Sequence, residues 1–250
     1  MDKKVLKLYQ LHDGYCYNSD SLFLYDFAKT FIKKSFCVLE VGSGSGVVGL
    51  LCARDFDIHL VMIEIDPYMA FLSKINAASA HIQTEIIHKN FLDFHSTSKF
   101  DMIISNPPFY RSGTIGAKNE RIKVARNEEF LPFRNFCIKV KKLLNPKGSF
   151  VFCYDAKEVH RVFYTLKNEG LNPEVARFVY PRMDKQASVL LCQARINTKS
   201  SLKILPPLLT HNSSAQLDNT DEVKRIYKNA NTHSIKVCSK DICLEDGGNT

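Results

Sequence analysis

This sequence predicts an α/β fold, a doubly wound and mostly parallel sheet, on three observations. Strand-like and helix-like apolar patterns alternate along most of the 250 residues, a glycine-rich turn follows one strand pattern, and a proline-rich turn follows another. Asn18, Ser19 and Asp20 precede an apolar run over 22–27 and read as a helix cap, with Phe23, Tyr25 and Phe27 as core. The strand pattern Val38-Leu39-Glu40-Val41 runs into Gly42-Ser43-Gly44-Ser45-Gly46 and then a helix over 47–54. A second strand over 59–63 ends at Glu64, and a helix over 69–78 and a strand over 84–88 follow. Strand 100–104 leads into the proline turn, with a helix over 128–144, a strand over 148–154 and a helix over 157–168 beyond it. Strand patterns over 174–180 and 188–195 have no helix between them and so pair as a hairpin. The polar stretch 197–203 reads as a connector, 221–230 as a short helix and 238–250 as a disordered tail.

The first turn has the chemistry of a nucleotide-cofactor loop. Glycines let the chain turn tightly and let a ligand approach the backbone, and the helix that follows presents unpaired N–H groups. Glu64 stands 64 − 42 = 22 positions after the first glycine, where a carboxylate can grip ribose hydroxyls. The third glycine comes earlier than in the Gly-x-Gly-x-x-Gly of dinucleotide sites. Glu40, just before the loop, would repel a pyrophosphate yet suits the ammonium of a methionine moiety. S-adenosylmethionine therefore fits better than NAD, with Glu40, Gly42, Gly44, Gly46 and Glu64 as expected contacts.

The second turn, Ser105-Asn106-Pro107-Pro108-Phe109-Tyr110, names a reaction. An exocyclic amine such as adenine N6 has its lone pair delocalised into the ring. A catalyst must accept hydrogen bonds from its N–H groups, draw the nitrogen toward tetrahedral geometry, and face the positive charge that develops there. The Asn106 side-chain oxygen and the Pro107 carbonyl can supply two such acceptors, Pro108 keeps Pro107 out of the helical region, and Phe109 can stack on the base. An Asn-Pro-Pro alone is a turn after a strand; beside a cofactor loop it points to in-line methyl transfer with no metal and no covalent intermediate.

Taken together, these residues resemble the class I S-adenosylmethionine-dependent methyltransferases of the amino-group subclass. The opening segment over 13–24, the loop over 38–46, the Asn-Pro-Pro-Phe-Tyr, Leu208-Leu209-Thr210-His211 and the segment over 221–227 are similar to the tRNA adenine-N6 methyltransferases, which modify adenine 37 of valine tRNA. The resemblance covers about residues 5–237 and implies a seven-stranded sheet with one antiparallel strand. It implies one domain over 1–237: a cofactor-covering segment over about 1–34, a core over about 35–196 and an extension over about 197–237. Asp20 would then help hold the methionine end. Where that family usually has an aspartate accepting from the cofactor's adenine amine, this chain has Asn90, with Asp93 as the alternative; Phe109 stands where tyrosine is common. Ribosomal-RNA adenine or guanine methyltransferases and protein glutamine N5-methyltransferases share the tetrapeptide and remain the alternatives.

A net charge of +8 and a pI of about 9.0 call for an acidic partner, and RNA matches. Arg111, Lys118, Arg121, Lys123 and Arg126 follow the proline turn, and Arg182 and Lys185 lie between the two final strand patterns, so these are the expected RNA contacts. The eight scattered cysteines contain no Cys-x-x-Cys pair and read as reduced thiols; with no long apolar run, the expectation is a cytoplasmic enzyme.

Overall fold

A computed structural model describes residues 3–14, 16–107, 131–213, 218–242 and 244. The strand–helix alternation builds a central sheet from β2 (Phe36–Val41), β3 (Ile58–Glu64), β4 (Thr84–His88), β5 (Phe100–Ser105), β6 (Leu144–Asp155), β7 (Leu171–Tyr180) and β8 (Val189–Ile196). Their order across the sheet is β4-β3-β2-β5-β6-β8-β7, parallel except for β8, which runs antiparallel to both neighbours. Two short strands extend the β7 edge, β9 (Lys203–Ile204) and β10 (Leu208–Leu209), both parallel to β7.

Side-chain alternation assigns the two faces. Met102, Ile104, Val151 and Cys153 pack with α1 (Ser19–Ala28) and α2 (Val47–Asp55) in one core, while Ile103, Phe150, Phe152 and Tyr154 pack with α4 (Phe133–Leu143) and α5 (Val159–Asn168) in the other. The even-numbered face of β5 continues to Asn106, a position that matters below. α3 (Pro67–Ala80) begins where Asp66 accepts from the Tyr68 and Met69 amides and Pro67 fills the first helical position; it stops at His81, φ 56.

Several boundaries move for local reasons. The helix expected from 128 begins at Phe133, because Pro132 is extended at ψ 124 and disfavours a helical Leu131; residues 128–130 lie outside the described ones. β7 begins three residues early and carries Pro173 where its register with β8 shifts, a place that tolerates a missing donor. The short β9 and β10 lay beyond the sequence reading, and so did two longer strands. β1 (Leu6–Leu11) and β11 (Thr232–Val237) form a separate parallel pair, and α6 (Asp221–Ala230) precedes β11. The segment expected to be disordered starts with a 3-10 turn over Ser239–Asp241, tied to Asp13 by the Ser239 amide and hydroxyl. No helix among the described residues is long and apolar enough to cross a membrane.

Candidate functional site

The glycine turn is left-handed at each glycine, with φ of 66°, 56° and 82° at Gly42, Gly44 and Gly46, which side chains rarely adopt. Hydrogen bonds fix it on two sides. Ile63 O accepts from the Gly42 and Ser43 amides at 2.9 and 3.1 Å, and from α3 the Ser73 hydroxyl and Asn76 amide reach Gly44 O and Ser45 O at 2.7 and 2.9 Å. Asn76 is fully buried and also joins both backbone groups of Tyr9, so it links β1 to the turn. Neither Ser73 nor Asn76 was singled out in the sequence. Their signal is two polar residues three apart on a helix face shared with Met69, Leu72 and Ala77.

Glu64 is tied to the backbone of the turn. Its Oε2 accepts from Gly44 N at 2.7 Å and its Oε1 from Ile65 N and Asp66 N at 2.8 and 2.9 Å, so this carboxyl builds the turn. Burial raises its pKa, against the pull of those amides. Glu40 is 4% exposed, and its Oε2 accepts from Gly49 N at 2.9 Å in the first turn of α2. Gly49 admits it, since a Cβ there would stand 2.5 Å from that oxygen. Burial pushes the Glu40 carboxyl up to about 8.

At the end of β5, Asn106 is clamped from both sides. Its Nδ2 donates to Ser21 Oγ in α1 at 3.3 Å, and its Oδ1 accepts from the Cys153 thiol at 2.9 Å. Burial holds that thiol protonated, well above its usual range. The contact follows from register: Ser105 pairs with Phe152, so Asn106 and Cys153 come next on the α1 face. Pro107 follows, buried. A narrow cleft lined by Tyr17, Ser21, Glu40, the turn over 42–45 and Asn106 joins the two motifs.

Residues 18–131 match the family model of the methyltransferase small domain. Two curated relatives are tRNA1(Val) (adenine(37)-N6)-methyltransferases. That of Aliivibrio fischeri is 31% identical over 138 residues, covering 54% of this chain and 58% of its own length. That of Porphyromonas gingivalis is 35% identical over 118 residues, covering 44% and 46%. The chain thus spans about half the length of these relatives. In fold, a predicted O-methyltransferase of Agrobacterium tumefaciens superposes with a TM-score of 0.65 over 87% of this chain and all of its own, at 14% identity.

The chain is similar in fold to S-adenosylmethionine-dependent methyltransferases, and its match to the methyltransferase small domain covers 114 of 250 residues. The residues of the cleft fit that cofactor. Ser43 Oγ is buried with no hydrogen-bond partner among the described residues, so it is free for a polar group of a ligand. A Cβ built at Gly42 meets nothing within 4 Å, which leaves room against the backbone.

The remaining expected residues divide into three groups. Asp20 lies in the first turn of α1, where Asn18 is the cap; its carboxyl receives Asn18 Nδ2 at 2.9 Å and is raised by burial. Asn90 starts a 3-10 turn over Phe91–Asp93 and spends its Oδ1 on Leu92 N at 2.9 Å, while Asp93 is exposed. Arg182 and Lys185 sit on the β7–β8 connection and line a separate cleft at the carboxyl edge of the sheet. Pro108, Phe109, Arg111, Lys118, Arg121, Lys123 and Arg126 lie outside the described residues.

Proposed function

We propose that this methyltransferase transfers a methyl group from S-adenosylmethionine to the N6 amine of an adenine in RNA, in a tRNA beside the anticodon. The observation that carries the reading is Asn106, clamped at the end of β5 in the same cleft as the glycine turn and Glu40. The names of the two relatives support tRNA as the substrate.

The bound cofactor supplies a methyl carbon made electrophilic by its sulfonium. The chain's part is to hold and polarise the amine. An amide oxygen has two lone pairs, so Asn106 Oδ1 can keep its bond from Cys153 and accept one N–H of the amine, while the Pro107 carbonyl accepts the other. These two fixed dipoles would face the positive charge that the nitrogen gains with the methyl group, and the nitrogen would then give up one proton to solvent. Phe109 serves as the stacking face for the base. Glu40 and Asp20 serve the ammonium end of the cofactor. Asn90 Oδ1 keeps its bond from Leu92 N and has a second lone pair for the cofactor's adenine amine.

The test is to incubate the protein with radiolabelled S-adenosylmethionine and, separately, total tRNA and total rRNA, then to identify the labelled nucleoside. N6-methyladenosine in tRNA is expected, lost in Asn106→Ala while cofactor affinity by calorimetry is kept. Label in rRNA alone would move the substrate to the ribosome, and transfer retained by Asn106→Ala would overturn the catalytic assignment.

A further inference from the structure

A second concavity lies along the same edge of the sheet, outside the methyl-transfer cleft. It holds about 540 Å³ and is lined by Lys157, Arg182, Lys185 and His211, with Pro181 and Ala187 as apolar wall. That volume is in the range of roughly 300–1,000 Å³ typical of small-molecule sites. Strand register puts it on the substrate edge. Ser105 pairs with Phe152, Asp155 and Val179 both pair with Val189, and Leu209 pairs with Tyr180. The carboxyl ends of β5, β6, β7 and β10 therefore lie in one row, with Asn106 after the first and His211 after the last.

Its walls are cross-tied through the backbone: Ala156 N to Ser188 O at 3.2 Å, Ser188 N to Val179 O at 2.9 Å, Lys185 N to Arg182 O at 3.1 Å and His211 N to Pro181 O at 3.0 Å. The polar tips are less committed. Asp184 takes Nε and Nη2 of Arg182, each at 2.8 Å, which orients the guanidinium and leaves its Nη1 without a partner among the described residues. Lys185 Nζ is 4.0 Å from the same carboxylate. His211 uses Nδ1 on Thr210 Oγ1 and Pro181 O at 2.7 and 3.3 Å, so Nε2 is the nitrogen left over. Lys157 Nζ has no partner among the described residues; its backbone is held by Asp155 Oδ1 at 2.9 Å. Outside the lining, in the turn between Arg182 and Asp184, Met183 is 79% exposed, an apolar side chain at the rim.

Several uncommitted donors in one concave wall focus a positive potential and suit a ligand with several anionic oxygens; an apolar side chain beside them suits a base. We infer that this cleft is a second nucleotide site, which takes a phosphodiester and base of the RNA flanking the reacting adenosine. It rests on RNA as the substrate. Lys157 and Lys185 neutralise phosphate, Arg182 Nη1 and His211 Nε2 donate to its oxygens, and Met183 packs on the base.

The test is fluorescence anisotropy of a labelled anticodon stem-loop at a series of salt concentrations, with methyl transfer to the same RNA measured in parallel. For Lys157→Ala/Lys185→Ala the slope of log affinity against log salt should fall by about 0.8, since the cleft holds one phosphate and each phosphate contact contributes roughly 0.7–0.9. Met183→Ala should weaken binding at every salt concentration with the slope unchanged, and Arg134→Ala, whose partner Glu169 lies elsewhere, should match the wild type. A slope unaltered in the double variant, or lowered equally by Arg134→Ala, overturns the site. Wild-type protein that binds the RNA through this cleft but transfers no methyl would uphold the site and remove the proposed activity. Transfer with no slope change would do the reverse, and failure of the wild type to bind the RNA would remove both.

Discussion

Glu40→Gln separates two consequences of one buried carboxyl. The native carboxyl titrates near 8 because it is buried, with the Gly49 amide opposing and the Glu64 charge adding to the rise, whereas an exposed glutamate titrates at 4.5. A group raised on folding stabilises the native state below its unfolded pKa, and that stability is lost as pH rises through the native value. The full shift corresponds to about 5 kcal/mol, of which about half falls between about pH 6 and about pH 8.5. Glutamine keeps the shape and an acceptor for Gly49 N but never ionises. In urea unfolding without cofactor, Glu40→Gln should therefore gain on the wild type by about that amount across this window. Glu64 is present in both proteins and cancels. Parallel pH profiles for the two would refute the reasoning. The same carboxyl, largely protonated at neutral pH, must ionise to meet an ammonium. Cofactor binding near pH 7 should then release most of one proton, read by calorimetry in buffers of different ionisation enthalpy, and Glu40→Gln should abolish that release.

Two glycines in one turn should respond differently. An added Cβ at Gly46 meets Leu50 and Met62 at 3.2 Å and Ser73 at 3.3 Å at φ +82°, so Gly46→Ala should cost about 1–3 kcal/mol of stability in urea unfolding. Gly42→Ala has only the left-handed backbone to bear, about 1–2 kcal/mol, yet should weaken the cofactor more than about tenfold in calorimetry. At Cys153, alanine removes the donor on Asn106 Oδ1 and serine restores one; kcat should drop about fivefold to tenfold for Cys153→Ala and recover in Cys153→Ser, with cofactor affinity steady. Equal rates for the two variants would make Cys153 a packing residue only.

Most of the central sheet was legible because its signals are local. Val38–Val41 before the glycines, the apolar run ending at Glu64 and Phe100–Ile104 before the prolines each carry their own periodicity. Glu40, the glycine turn and Asn106 line one cleft, since parallel strands deliver their carboxyl ends to one edge. What escaped depends on distance in sequence. Thr232–Val237 is mostly polar and short, and only its pairing with Leu6–Leu11 makes it a strand. Cys153 reads as one more apolar residue until register sets it beside Asn106. Glu64 was rightly placed at the end of β3, but its geometry, three backbone amides within 3 Å, depends on how the turn folds back over it.

The pairing of β1 with β11 gives the molecule a mechanical character. Leu6 lies opposite Thr232 and Leu11 opposite Val237, 232 − 6 = 226 positions apart in sequence, and the two strands run in the same direction. The leading end of β1 and the trailing end of β11 therefore leave the pair on opposite sides. A force that draws them apart, as an unfolding protease does when it pulls one terminus, loads the ladder in shear, so its bonds must yield together and not one by one. The first strand to resist is also the one that Asn76 ties to Ser45 O, so tension that broke the pair would reach the glycine turn next.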